Sequence, residues 1–98
     1  MTKKEAIELE NKCDELMSEY LGEDCTVSMA LSGRFKVKFG DDYITLTKDI
    51  GTASYVKYHG YYSDLEEHIN LIIKCIKENT DIFNKLIWSY EHIREIEE

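Results

Sequence analysis

The sequence contains no proline. Proline fixes φ and removes a backbone donor, so its absence permits long uninterrupted helices and excludes proline-rich linkers and polyproline recognition. Gly-rich phosphate loops are missing too: the five glycines stand apart, with neither a GxGxxG nor a Walker pattern among them. The three cysteines, Cys13, Cys25 and Cys75, are odd in number and far apart, which argues against a disulfide framework. No apolar run approaches the roughly 20 residues of a membrane span. The start, Met-Thr-Lys-Lys-Glu-Ala-Ile-Glu, lacks the apolar segment of a secretory leader. A reduced, soluble, cytoplasmic protein is therefore expected. Positive charge is also scarce: 12 Lys and Arg stand against 20 Asp and Glu, for a net −8. Such a balance disfavours nonspecific attraction to nucleic acid or anionic membranes, so direct contact with either is not expected, and a basic partner is.

What is present reads as one α+β domain over residues 1–98, since a second core would leave too few residues for either. The chain is organised around a β-meander from Cys25 to Tyr62. In Arg34–Phe39, Phe35, Val37 and Phe39 alternate with basic residues, giving one apolar and one basic face. Gly40-Asp41-Asp42 then supplies turn chemistry before Tyr43–Thr47, which is the signal of a hairpin. Asp24–Leu31 reads as the preceding strand, joined through Ser32-Gly33, and Thr52–His59 as a fourth, so the meander has three or four antiparallel strands. Thr2–Leu21 is the first helix, with apolar positions Ala6, Leu9, Cys13, Leu16 and Tyr20, a Thr2–Glu5 capping box and Gly22 as a left-handed cap. Ser63 and Glu66 form a second capping box. Leu65, Ile69, Ile72, Ile73 and Ile76, then Ile82, Phe83, Leu86, Ile87, Tyr90 and Ile93, carry helical spacing onward. These are one or two C-terminal helices packed on one sheet face, with any break near Asn79–Thr80.

Charge is divided unevenly along this plan. Residues 1–24 hold three lysines against eight carboxylates, and residues 63–98 four basic residues against nine. Residues 25–62 instead hold five basic residues against three acids. The helices are acidic and the sheet mildly basic. Glu5, Glu8, Lys12, Glu15 and Glu19 share the polar face of the first helix, where Glu8 and Lys12 have the spacing of an i,i+4 pair. Glu91, Glu95, Glu97 and Glu98 crowd the negative end of a helix dipole, where stability alone would place cations. No catalytic residue is assigned, because His59, His68 and His92 lie beside no nucleophile in a recognisable motif and read as surface or interface residues. No metal site is assigned either: His68 and Cys75 would stand about 10 Å apart along a helix, too far to share zinc. Cys13 and Cys75 lie on apolar stripes and read as small packed hydrophobes. No cofactor is implied.

Four tyrosines, Tyr55, Tyr58, Tyr61 and Tyr62, fall within eight residues, and exposed tyrosines make good interface anchors. The candidate partner-binding residues are thus Glu8, Glu15, Glu19, Tyr58, Tyr61, Glu66, Glu67, Glu91 and Glu95. In size, acidity and lack of catalytic motifs, the chain resembles the small phage-encoded inhibitors of bacterial defence, anti-CRISPR proteins among them. That resemblance implies direct binding to a CRISPR effector and blockage of its DNA binding or cleavage, with carboxylates standing in for phosphates. Other readings are an immunity protein or antitoxin that neutralises a basic nuclease, a nucleic-acid-binding regulator using the basic sheet face, and a small enzyme or enzyme subunit. The nucleic-acid-binding reading draws on Gly33–Phe39, which is similar to the aromatic, basic strand of an RNA-recognition sheet, though with different spacing.

Overall fold

Helix α1, Lys3–Leu21, begins where its cap predicts. The Thr2 hydroxyl accepts from the Glu5 backbone N–H at 3.2 Å and donates to Glu5 Oε1 at 3.1 Å, satisfying an orphan donor of the first turn. At the other end Gly22 adopts φ 73°, a left-handed conformation that a Cβ would strain, and its N–H closes on the Ser18 carbonyl at 2.8 Å. These features come from a computed structural model in which residues 1–29, 35–46, 55–59 and 65–92 are described, with only the backbone described at 55–59, 65 and 66.

Four strands follow in sequence order, each antiparallel to the next: β1 (Cys25–Met29), β2 (Phe35–Phe39), β3 (Asp42–Leu46) and β4 (Tyr55–His59). The β2–β3 hairpin is tighter than the Gly-Asp-Asp reading implies, because Asp42 already pairs with Phe39. Gly40 alone carries positive φ (61°), so Gly40-Asp41 has the glycine placement of a type II′ turn, whose twist suits the flanking strands. Register then sets Val37 between Val27 and Ile44. The Ser32-Gly33 turn, the residues that follow Leu46 up to Ser54, and the Ser63 capping box lie outside the described residues.

Two C-terminal helices, α2 (Leu65–Glu78) and α3 (Thr80–Glu91), complete the α+β fold. They are separated by Asn79 alone. Hydrogen bonds run through that residue, from Asn79 N–H to the Cys75 carbonyl (3.1 Å) and from Phe83 N–H to the Asn79 carbonyl (3.2 Å), so the break is a bend. The Asn79 side chain does not cap α3; its amide turns back to the Cys75 carbonyl at 2.9 Å.

The helices cover the apolar sheet face. Phe35, Val37 and Phe39 are 0%, 0% and 1% exposed, and Ile44 and Leu46 join them. Phe83 of α3 meets Phe35 edge-on at 5.9 Å, a favoured aromatic geometry. Two positions differ from the sequence reading. Met17 lies outside the spacing assigned to α1 yet is fully buried beside Cys13, because the core-facing stripe is rotated toward β1. His68 is not a surface residue: it is one turn before Ile72 on the buried stripe of α2, its ring lies 4.9 Å from Phe39, and Nε2 is 3.4 Å from Glu23 Oε2.

An edge strand exposes unpaired backbone groups, and β1 is such an edge. Here side chains from the helices take them. Asp14 Oδ1 accepts from Val27 N–H at 2.7 Å, Ser18 Oγ accepts from Cys25 N–H at 2.9 Å, and the Tyr90 hydroxyl, which donates its proton to Glu10, lies 3.4 Å from the Val27 carbonyl. Asp14 carries a raised pKa, chiefly because burial disfavours its charge, with Glu10 adding repulsion against the lowering effect of the Val27 N–H. A raised folded pKa means that ionised Asp14 opposes folding, and stability is recovered as pH falls through that pKa toward the ordinary carboxylate range. Asp14→Ala, which strands the Val27 donor, is expected to cost about 1–3 kcal/mol. Asp14→Asn keeps an acceptor without the charge, so its melting temperature should match or exceed the parent at pH 7. That difference should shrink toward pH 4; an Asn variant as unstable as the Ala variant would show that the charge itself holds the edge.

Candidate protein-interaction surface

The acidic residues of α1 sort by helical phase. Asp14 and Glu10 turn inward to the β1 edge and Tyr90, whereas Glu5, Glu8, Glu15 and Glu19 are exposed. Glu8, Glu15 and Glu19 share one face, spanning about 16 Å at 1.5 Å per residue. The Glu8–Lys12 pairing expected from spacing does not close to an ion pair; among the described residues the pair seen is His68–Glu23. The last turn of α1 holds no basic residue, and exposed Asp24 follows Gly22. Negative charge therefore concentrates at the C-terminal half of α1, where the helix dipole is itself negative.

The other helices are less one-sided than their composition suggests. On α2, exposed Glu67 and Glu78 are offset by exposed Lys74 and Lys77. On α3, exposed Asp81 and Glu91 are accompanied by Lys85. Of the candidate residues, Glu8, Glu15 and Glu19 are brought together, while Glu67 and Glu91 sit on separate helices. Tyr58 pairs in register with Ile44 on the β4 edge, and Glu66 lies in the first turn of α2; the backbone alone places both. Tyr61 and Glu95 fall outside the described residues.

Two further features were not singled out by motif reading. Trp88, the sole tryptophan, is 43% exposed on α3 and stacks on His92 at 4.3 Å with 12° between the rings. Its position could have been read from spacing, since it falls off the Phe83–Leu86–Ile87–Tyr90 stripe. A cleft of about 470 Å³ opens between α1 and the α2–α3 bend. Lys12, Lys77, Glu78 and Asp81 line it, so its walls carry no net charge, and Glu78 Oε1 accepts from the Tyr20 hydroxyl at 2.7 Å.

The opposite, outer sheet face carries Lys36 and exposed Lys38, with the Lys36 ammonium 4.4 Å above the Tyr43 ring. Cys13, Cys25 and Cys75 are free and buried. Burial pushes their thiols up to about 12, 11 and 12, which keeps them protonated at neutral pH and poor nucleophiles. Among the described residues no three His, Cys, Asp or Glu side chains converge as metal ligands, and no helix is long and apolar enough to cross a membrane.

Fold and surface together define a small α+β protein with a concentrated acidic helix end. Compared with protein-family models, with curated proteins and with solved structures, the chain matches none.

Proposed function

We propose that this is a non-enzymatic interaction protein that binds and inhibits a basic, nucleic-acid-handling protein. The acidic end of α1 occupies the groove that otherwise holds phosphates. The observation that carries the reading is the placement of Glu15, Glu19 and Asp24, exposed at the negative end of α1 with no basic residue in its last turn. Carboxylates so placed pair with groove lysines and arginines in charge-assisted bonds. A helix selected only for stability carries cations at that end. The reading agrees with the resemblance to phage-encoded inhibitors of bacterial defence, and a CRISPR effector or a nuclease has the required groove.

A second reading rests on Lys36 above Tyr43: the outer sheet face binds nucleic acid directly. Mobility-shift titrations with single- and double-stranded DNA and RNA at near-physiological salt separate the two. The protein is expected to bind none of them appreciably. Tight binding that falls steeply with added salt, and falls further in Lys36→Ala/Lys38→Ala, would replace the first reading with the second.

A further inference from the structure

The C-terminal end of α3 combines features that act on the same kind of ligand. Trp88 is 43% exposed on an otherwise amphipathic helix, although tryptophan loses much by facing water. One face of its indole is covered by His92, stacked at 4.3 Å and nearly parallel. The imidazole is held there by its Nδ1, 2.8 Å from the Trp88 carbonyl; a carbonyl only accepts, so Nδ1 carries the proton and donates. His92 N–H donates to the same carbonyl at 3.0 Å. The indole is thereby fixed in orientation by its own helix end before any partner arrives, which lowers the ordering cost of binding.

The aromatic face and the helix end favour a cation, against one exposed cation, Lys85, three residues before Trp88. An indole face attracts a guanidinium or ammonium through the ring quadrupole. The last turn of α3 contains Glu91 and no basic residue, and its terminal carbonyls form the negative end of the helix dipole. Glu91 is exposed and lies three residues from Trp88, the spacing at which helix side chains are neighbours.

We infer that Trp88, backed by His92, is an anchor for an arginine side chain of the basic partner, with the guanidinium stacked on the indole. Arginine is favoured over lysine because its planar, weakly hydrated group stacks on an aromatic face. The inference rests on the proposed binding of a basic partner and adds a second contact to the α1 surface, one that is aromatic where α1 is purely ionic.

As the sole tryptophan, Trp88 is its own reporter. A dye-labelled nona-arginine peptide is titrated at 0.15 M salt, about physiological, with anisotropy reporting binding and Trp88 emission reporting the site; nona-lysine and a Gly-Ser peptide of equal length are the comparisons. Expected are saturable binding of the arginine peptide with a matching change in Trp88 emission, weaker binding of the lysine peptide, and about a tenfold loss of affinity in Trp88→Ala. Trp88→Phe should recover part of that loss. Far-UV dichroism and melting should be unchanged in both variants, because the ring is largely outside the core. If the arginine peptide binds but Trp88 emission and the Trp88→Ala affinity stay at parent values, the anchor is wrong and the acidic surface reading stands. If neither basic peptide binds, both fall. If the parent is a dimer by sedimentation and Trp88→Ala a monomer, the ring is occupied by a second copy and the arginine assignment is overturned.

Discussion

Val37→Asp yields no folded protein: the expected result is loss of cooperative melting and of the near-ultraviolet dichroism that reports a packed interior. Val37 is fully buried in a central strand, paired with Val27 on one side and Ile44 on the other, under helices that carry Phe83 and Met17 into the same core. An aspartate there has no partner, and leaving it ionised costs several kcal/mol even after relaxation. A domain of this size is stable by about 5–15 kcal/mol, so one such insertion removes most or all of the margin. Phe83→Ala should be milder, at about 3–5 kcal/mol, because it leaves a cavity rather than a charge. A Val37→Asp protein melting at the parent temperature would mean that the two faces of the sheet are exchanged.

Reversing Glu15 and Glu19 to lysine gives the opposite separation, with folding kept and binding lost. Both side chains are exposed at the negative end of α1, where lysine suits the helix dipole better than glutamate, so the melting temperature should hold or rise slightly. The association rate with a basic partner should fall about tenfold or more, since long-range steering depends on charges that approach first. The gap between parent and variant should close as salt is raised, because the screening length contracts from about 10 Å at 0.1 M to about 3 Å at 1 M. A faster dissociation at unchanged association would show that these residues act by contact, without steering.

Much of the fold was legible because short-range rules fix it. Thr2 and Gly22 bound α1 through capping chemistry that depends on a few neighbouring residues. Phe35, Val37 and Phe39 declare the buried sheet face by alternation, and Asn79–Thr80 marks the break between α2 and α3. What was not legible depends on tertiary partners. Nothing in the spacing of Asp14 tells that it accepts from Val27 across the β1 edge, or that Tyr90 completes that edge from α3. His68 looked like a surface residue until Phe39 and Glu23 were placed around it. The candidate surface was overstated for α2, since a charge count by segment does not show that Lys74 and Lys77 share the solvent face with Glu67 and Glu78. It was understated for α3, where a motif search passes over a lone exposed tryptophan.

On the proposed reading, the acidic end of α1 takes the place of nucleic acid on a basic protein. The most direct test of that reading recovers a partner from a host lysate with the parent protein as bait, then follows displacement of that partner's own labelled DNA or RNA by added protein. The parent should displace the nucleic acid stoichiometrically, and Glu15→Lys/Glu19→Lys should need about tenfold more protein or higher to do so. A partner without a basic groove, or one that binds parent and variant equally while keeping its nucleic acid, would contradict the account and leave the carboxylates of α1 as a solvated helix face.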